Sequence, residues 1–224
     1  MGKQAQTITL AVIGGTGKEG SGLAFRWARA GYEVIIGSRT QEKADQAATE
    51  LNKVLAGAAT VRAMTNENAA QEADMLVLTV PYAAHQSTLE SVASSSDGKI
   101  LVDVTVPIVA PHFTTVTLPP GRTAAEEAQA LLGDGVQVVS AFQNVSATHL
   151  KDLSHAVDCD VLIAGGNEDA KRTVMALAEA AGMRGVDVGP LSNAIVAESL
   201  TPVLVGLNKR YGVKGAGIRI TEIG

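Results

Sequence analysis

Short apolar runs alternate with longer Ala-rich segments along most of this 224-residue chain. The runs TITLAVI and MLVLTV have the length and composition of buried strands, whereas residues 41–56 place apolar side chains on one helical face. Aromatic residues make up only 3% of the chain, so Ala, Val, Leu and Ile must build the core. The alternation predicts an α/β fold with a doubly wound parallel Rossmann sheet. We expect strands near residues 7–13, 32–36, 60–64, 75–80, 100–104, 136–141, 157–164 and 185–188, and an edge strand over 217–223.

The alternation ends near Gly189-Pro190, where one long helix and a glycine-rich tail follow. We therefore predict a nucleotide-binding domain over residues 7–189. Residues 190–224 would form a small C-terminal helical lobe.

The turn after the first predicted strand has the pattern G-x-G-x-x-G, written GTGKEG over residues 15–20. The pattern alone is weak, but here it follows a strand and opens a helix, as in dinucleotide-binding folds. Gly15 would allow the tight turn, Gly17 the close approach of a pyrophosphate, and Gly20 the packing of the helix on the strand. A glycine-rich turn without a ligand is the alternative.

The second predicted strand ends in Gly37-Ser38-Arg39, where an NAD-binding chain usually has an acidic residue. Lys43 follows one helical turn later. A hydroxyl and two cations are suited to a 2′-phosphate, which a carboxylate would repel. The absence of the acidic residue and the presence of these cations favour NADP over NAD. The alternative is a solvent-exposed basic helix start that binds no ligand, which would have the same sequence pattern.

Charge and cysteine content exclude several classes of protein. The net charge of −5 argues against a general nucleic-acid binder, and no apolar run reaches the length of a membrane span. The single cysteine, Cys159, excludes an intrachain disulfide and favours a reducing compartment. We expect a soluble cytoplasmic protein.

Five segments together resemble one family, the NADPH-dependent reductases of the deazaflavin coenzyme F420. They are GGTGKEGSGLA, GSRTQEKA, LTVPYAA, VDVGPLSN and AESLTPVL. The first two occur in many NADP enzymes, and the last two are more specific. The resemblance implies a cytoplasmic homodimer that transfers a hydride between NADP(H) and F420, with F420 as the second substrate.

The resemblance also implies roles for individual residues. The pyrophosphate turn would include Thr16, Gly17, Lys18 and Glu19, and the 2′-phosphate site would be Ser38, Arg39 and Lys43. Further cofactor contacts would be Val80, Pro81 and Ala84 beside the nicotinamide ribose, and Val106 and Ala147 in later loops. The second-substrate pocket would include Gln143, Asn144, Ser192 and Asn193, and the C-terminal helix would form one wall of it.

One position departs from the family pattern. Several relatives have His where this chain has Gln143, and an amide donates hydrogen bonds but does not become a cation. Two alternatives therefore remain open. One is an NADPH-dependent reductase of a flavin, a ferric chelate or a small imine. The other is a non-catalytic NADP(H)-sensing module, because no acid/base constellation is evident and the catalytic residues are unknown.

The remaining chemically active residues give weaker signals. We expect no metal site, since His85, His112, His149 and His155 lack ligand spacing and suit the surface or loops. Cys159 is expected in the core. Asp103 ends the fifth predicted strand, where either a site residue or a turn residue would fit.

Overall fold

The computed structural model describes residues 8–108, 111–117 and 122–223. The strands are β1 Thr9–Ile13, β2 Glu33–Ser38, β3 Val61–Thr65, β4 Met75–Leu78, β5 Ile100–Asp103, β6 Gln137–Ser140, β7 Asp160–Gly165 and β8 Arg184–Asp187. They form a mostly parallel eight-stranded sheet in the order β3-β2-β1-β4-β5-β6-β7-β8, which confirms the predicted α/β fold. The helices are α1 Lys18–Arg29, α2 Gln41–Leu55, α3 Asn66–Glu72, α4 His85–Val92, α5 Ala124–Leu132, α6 Glu168–Ala180 and α7 Ala194–Tyr211. Residue 7 of the first predicted strand lies outside the described residues.

Both faces of the sheet are covered, as the near-continuous apolar strands require. In β1, Leu10 and Val12 belong to the core that α1, α2 and α6 cover. Ala11 and Ile13 alternate with them and belong to the opposite core, under α3, α4 and α5. Each fully buried aliphatic side chain stabilises the fold by about 1.5–3 kcal/mol, so the two cores stabilise the sheet from both sides.

The sheet departs from the predicted parallel arrangement at one pair of strands. β7 runs antiparallel to β6, with Ser140 opposite Ala164. Between them the chain forms only a 3-10 turn, Ala147–His149, and no α-helix. A parallel connection requires a crossover, usually an α-helix, so this segment returns the chain in the opposite direction.

The predicted edge strand over residues 217–223 is also absent from the described chain. The tail instead contacts Asp160, whose N–H donates to the Ile218 carbonyl at 2.8 Å and whose carboxylate accepts from Ile220 N at 2.6 Å. Arg184 donates to the carbonyl oxygens of Ile220 and Ile223. These side-chain contacts take the place of a regular ladder.

The last helix packs on the far end of the sheet. Ala197 of α7 lies against Leu162 of β7 and Val186 of β8, with Ile218 of the tail beside them. Within the described ranges no helix combines the length and apolar character needed to cross a membrane.

Candidate functional site

The glycine-rich turn connects β1 to α1 at the carboxyl end of the sheet. Gly15 donates to the carbonyl oxygens of Val12 and Gly37, at 3.1 and 3.0 Å. A Cβ on Gly15 would lie 2.7 Å from the Val12 oxygen, so glycine is required there. The left-handed residue of the turn is Gly14, however, with φ of 72°, and its missing side chain leaves room for Val80. The tight turn therefore depends on Gly14 as well as on the predicted Gly15.

Gly17 and Gly20 have different environments. A Cβ on Gly20 would lie 2.8 Å from Gly15 Cα and closer still to Thr79 Oγ1, so the helix can approach β4 only without a side chain there. No atom lies within 4 Å of a Cβ built on Gly17. Gly17 is also the N-cap residue of α1, and no side chain caps that helix. The uncapped N–H groups and the open space in front of them suit a phosphate.

A cavity of about 440 Å³ lies directly beside this helix end. It has the size of a small-ligand site. The predicted residues that line it are Thr16, Gly17, Lys18, Glu19, Val80, Pro81 and Val106. Sequence reasoning missed Gly14, Thr79, Val104 and Thr105, which complete the lining.

Glu19 places a carboxyl group inside this cavity. Burial raises the pKa of Glu19 to about 8, and its Oε1 atom has no hydrogen-bond partner among the described residues. A neutral carboxyl donates a hydrogen bond and does not repel a pyrophosphate. Glu19 is therefore compatible with an anionic ligand at this helix end.

The predicted 2′-phosphate residues lie together at the end of β2 and the start of α2. Ser38 is the last residue of β2 and is 5% exposed, whereas Arg39 and Lys43 are exposed. In the part of the chain that the structure describes, neither cation forms a salt bridge. No side chain caps the N-terminus of α2 at Thr40. Two exposed cations therefore lie next to a second uncapped helix end.

The other predicted site residues do not line the 440 Å³ cavity. Gln143, Asn144 and Ala147 line a smaller cavity of about 190 Å³ against α7, so Ala147 groups with the second-substrate residues. Ala84 ends a 3-10 turn, Tyr82–Ala84. Ser192 and Asn193 lie in the 3-10 turn Leu191–Asn193 just before α7, where Asn193 donates to the Val188 carbonyl at 2.5 Å.

Gln143 is directed into the protein. Its Nε2 atom donates to the carbonyl oxygen of Asp103 and to Ser140 Oγ, both at 2.8 Å, and its Oε1 atom has no partner among the described residues. Both amide hydrogens are therefore used by the protein. Asn144 has a structural contact too, since it donates to the Asp160 carbonyl at 2.6 Å.

His85 was predicted at the surface or in a loop, and that prediction is wrong. His85 is 2% exposed, and its Nε2 atom lies 2.7 Å from Oδ2 of the fully buried Asp103. Burial lowers the pKa of His85, but the Asp103 hydrogen bond and the charges of Asp103, Glu127 and Glu198 raise it above the ordinary value. Asp103 also has the expected turn contact, because its Oδ1 atom accepts from Thr105 N at 2.9 Å.

The strand register brings this pair together. Asp103 lies opposite Leu78 in the β4–β5 ladder, and His85 follows β4 after the 3-10 turn Tyr82–Ala84. The core prediction for Cys159 agrees with its 4% exposure, although the residue precedes β7. Within the described ranges, no three or more His, Cys, Asp or Glu side chains group as metal ligands.

Comparison with known proteins decides the family. Residues 9–107 match the family model described as NADP oxidoreductase, coenzyme F420-dependent. The F420-dependent NADP reductase of Methanocaldococcus jannaschii is 40% identical over 223 residues, which cover 96% of this chain and 99% of the relative. The protein of the same name from Methanothermobacter marburgensis is 44% identical over 222 residues, covering 96% of this chain and 99% of the relative.

This chain belongs to the F420-dependent NADP reductase family. A crystal structure of a protein from Arthrobacter sp. FB24 has the same fold, with a TM-score of 0.83 and 26% identity over 96% of this chain and 100% of that one. The family identified from the motifs is thereby confirmed over nearly the full length, including the C-terminal helix.

Proposed function

We propose that this protein is an NADP-dependent oxidoreductase that transfers a hydride between NADP(H) and coenzyme F420. The observation that carries the proposal is the 40–44% identity to F420-dependent NADP reductases over nearly the entire length of both chains. The site supports it, because an uncapped helix end, an adjacent cavity and two exposed cations suit a phosphorylated dinucleotide.

The reaction makes modest demands on the protein. NADPH, F420 and one proton give NADP⁺ and reduced F420, and the two rings supply the redox chemistry. The chain must bind both molecules, hold the rings in contact and exclude water. Gly17 and the α1 N-terminus would hold the pyrophosphate, and Ser38, Arg39 and Lys43 the 2′-phosphate. The absence of an evident acid/base set is consistent with such a role.

We assign the second substrate to the region beside α7. Gln143, Asn144 and Ala147 line a small cavity there with Thr201 and Leu204 of α7. Ser192 and Asn193 lie at the start of the same helix. In this proposal residues 190–224 complete the pocket, and residues 7–189 bind the nucleotide.

We further infer a homodimer in the cytoplasm. Three apolar residues of α7 are 43–52% exposed, which is unfavourable in an isolated chain: Ile195, Val196 and Val203. A second copy packed on α7 would cover them. Light scattering of the purified protein tests the dimer, and a monomeric mass would contradict it.

Turnover tests the activity directly. The protein is mixed with NADPH and F420 while the visible absorbance of the deazaflavin is followed, and the reverse reaction is run with NADP⁺ and reduced F420. FMN, a ferric chelate and a cyclic imine replace F420 in parallel reactions. We expect turnover with F420 and at most weak activity with the others. Turnover with another acceptor alone would contradict F420 as substrate, and nucleotide binding without any turnover would indicate a sensor.

A further inference from the structure

Asp103 connects three segments at the carboxyl end of the sheet. Its Oδ2 atom contacts His85 Nε2 at 2.7 Å, and its Oδ1 atom accepts from Thr105 N at 2.9 Å. Its carbonyl oxygen accepts from Gln143 Nε2 at 2.8 Å. Asp103 is fully buried, and the three partners are 2–4% exposed. In such low-dielectric surroundings these contacts are electrostatically strong, and loss of one partner leaves a buried polar group unpaired.

The His85–Asp103 pair joins the two segments that line one side of the nucleotide cavity. Val80 and Pro81 follow β4, and Val104, Thr105 and Val106 follow β5. His85 is the first residue of α4, directly after the turn that starts at Pro81. The pair thus fastens the segment after β4 to the segment after β5, beside the cavity.

Thr105 has an unsatisfied hydroxyl at this point. The residue is 2% exposed and lines the nucleotide cavity, and its Oγ1 atom has no hydrogen-bond partner among the described residues. Buried hydroxyl groups are nearly always paired. Its backbone N–H donates to Asp103, so the main chain of this lining residue is fixed beside the cavity.

We propose that Thr105 contacts the nicotinamide half of the cofactor and that Asp103 and His85 are positioning residues for it. This rests on the proposed function, since NADP(H) is the nucleotide taken to occupy the cavity. The helix end proposed to hold the pyrophosphate contributes Thr16–Glu19 to the cavity lining, whereas Thr105 belongs to the separate segment after β5 that also contributes Val106. In this proposal the Thr105 hydroxyl pairs with the carboxamide or the ribose hydroxyls of the nicotinamide half. It makes no contact with the adenosine half.

Binding of two ligands tests the contact without any turnover. The affinities of NADP⁺ and of 2′,5′-ADP, which lacks the nicotinamide half, are measured by calorimetry for the wild type, Thr105→Val and Thr105→Ser. We expect Thr105→Val to weaken NADP⁺ binding about 5-fold, the size of one neutral hydrogen bond, and to leave 2′,5′-ADP binding unchanged. Thr105→Ser retains the hydroxyl and should bind both ligands as the wild type does. Equal NADP⁺ affinity in Thr105→Val and the wild type would overturn the contact.

A double-mutant cycle tests the positioning role. Asp103→Asn and His85→Gln should each weaken NADP⁺ binding relative to 2′,5′-ADP, and unchanged 2′,5′-ADP affinity shows that these variants are folded. If Asp103 acts through Thr105, combining Asp103→Asn with Thr105→Val adds little to either single loss. Fully additive losses would overturn the positioning role. Both experiments measure only the affinities for NADP⁺ and 2′,5′-ADP. Their outcome is therefore independent of whether F420 is the hydride acceptor.

Discussion

Nε of Arg26 donates a hydrogen bond of 2.8 Å to the carbonyl oxygen of Leu150, 124 positions later in the chain. The same guanidinium, 9% exposed, donates to four more carbonyl oxygens, those of His149, Asp152, His155 and Ala181. Helix α1 thus carries the glycine-rich turn at its start and, two turns later, holds the loop that follows Ala147. One helix therefore connects the segments that line the two cavities.

Replacing Arg26 by Lys should destabilise the protein by about 3 kcal/mol, because an ammonium cannot reproduce the planar set of donors and leaves buried carbonyls unpaired. Urea unfolding measures the change. Arg29→Lys, at an exposed position of the same helix, is the matched control and should change stability by less than about 0.5 kcal/mol. Equal stability of the two variants would show that the carbonyl contacts contribute little.

Arg39 should determine the choice between NADPH and NADH. Arg39→Gln removes a charged hydrogen bond to the 2′-phosphate, so we expect NADPH affinity to fall about 10- to 100-fold. NADH affinity should stay within about 3-fold of the wild type, since that nucleotide lacks the phosphate. Lys53→Gln, exposed near the end of α2, is the control. A parallel loss for both nucleotides would contradict the assignment.

Local signals in the sequence were sufficient where the partners are close along the chain. The capping box of α5 joins Thr123 and Glu126, three residues apart, and both of its hydrogen bonds form. The glycine turn was recognisable for the same reason. The apolar pattern of a buried strand, however, is the same whether the adjacent strand is parallel or antiparallel. The antiparallel direction of β7 could therefore not be predicted from that pattern.

Contacts that depend on sheet register were beyond sequence reasoning. His85 and Asp103 are 18 residues apart and meet only because β4 and β5 pair with Leu78 opposite Asp103. Gln143 was placed in a substrate pocket from a resemblance alone. Its amide also donates to the Asp103 carbonyl and to Ser140 Oγ, two residues that the pairing of β5 with β6 places opposite each other.

Replacing Gly17 or Gly20 of the glycine-rich turn by alanine should have different effects on stability and on nucleotide binding. Gly20→Ala should destabilise the fold by about 1–3 kcal/mol, because the new Cβ would overlap Thr79 and Gly15. Gly17→Ala has free space and an extended backbone, so we expect a change within about 1 kcal/mol. Its methyl group would project into the space of the pyrophosphate and weaken NADP⁺ binding. Thermal unfolding and calorimetry separate the two effects, and a stable Gly20→Ala would contradict the packing role.

Glu198 should make stability depend on pH. It is 1% exposed on α7, and its carboxylate accepts from the N–H groups of Ala124 and Ala125 at 3.0 and 3.3 Å. Burial raises the pKa of Glu198 to about 7, with Asp103 adding to the rise and the two N–H groups and His85 opposing it. The folded state therefore holds a proton that the unfolded chain releases near its ordinary pKa of 4.5.

The sign of the effect follows from that difference. Because the pKa of Glu198 is raised in the fold, its contribution to the unfolding free energy is fully present below about pH 4.5. This contribution, about 3 kcal/mol in total, is lost as the pH rises through about 7. Glu198→Gln does not titrate, so its unfolding free energy should fall less over this interval than that of the wild type. Urea unfolding at several pH values gives both curves, with Glu50→Gln on the exposed face of α2 as the control. Parallel curves for the wild type and Glu198→Gln would show that Glu198 is ionised in the fold throughout, held by the two N–H groups at the start of α5.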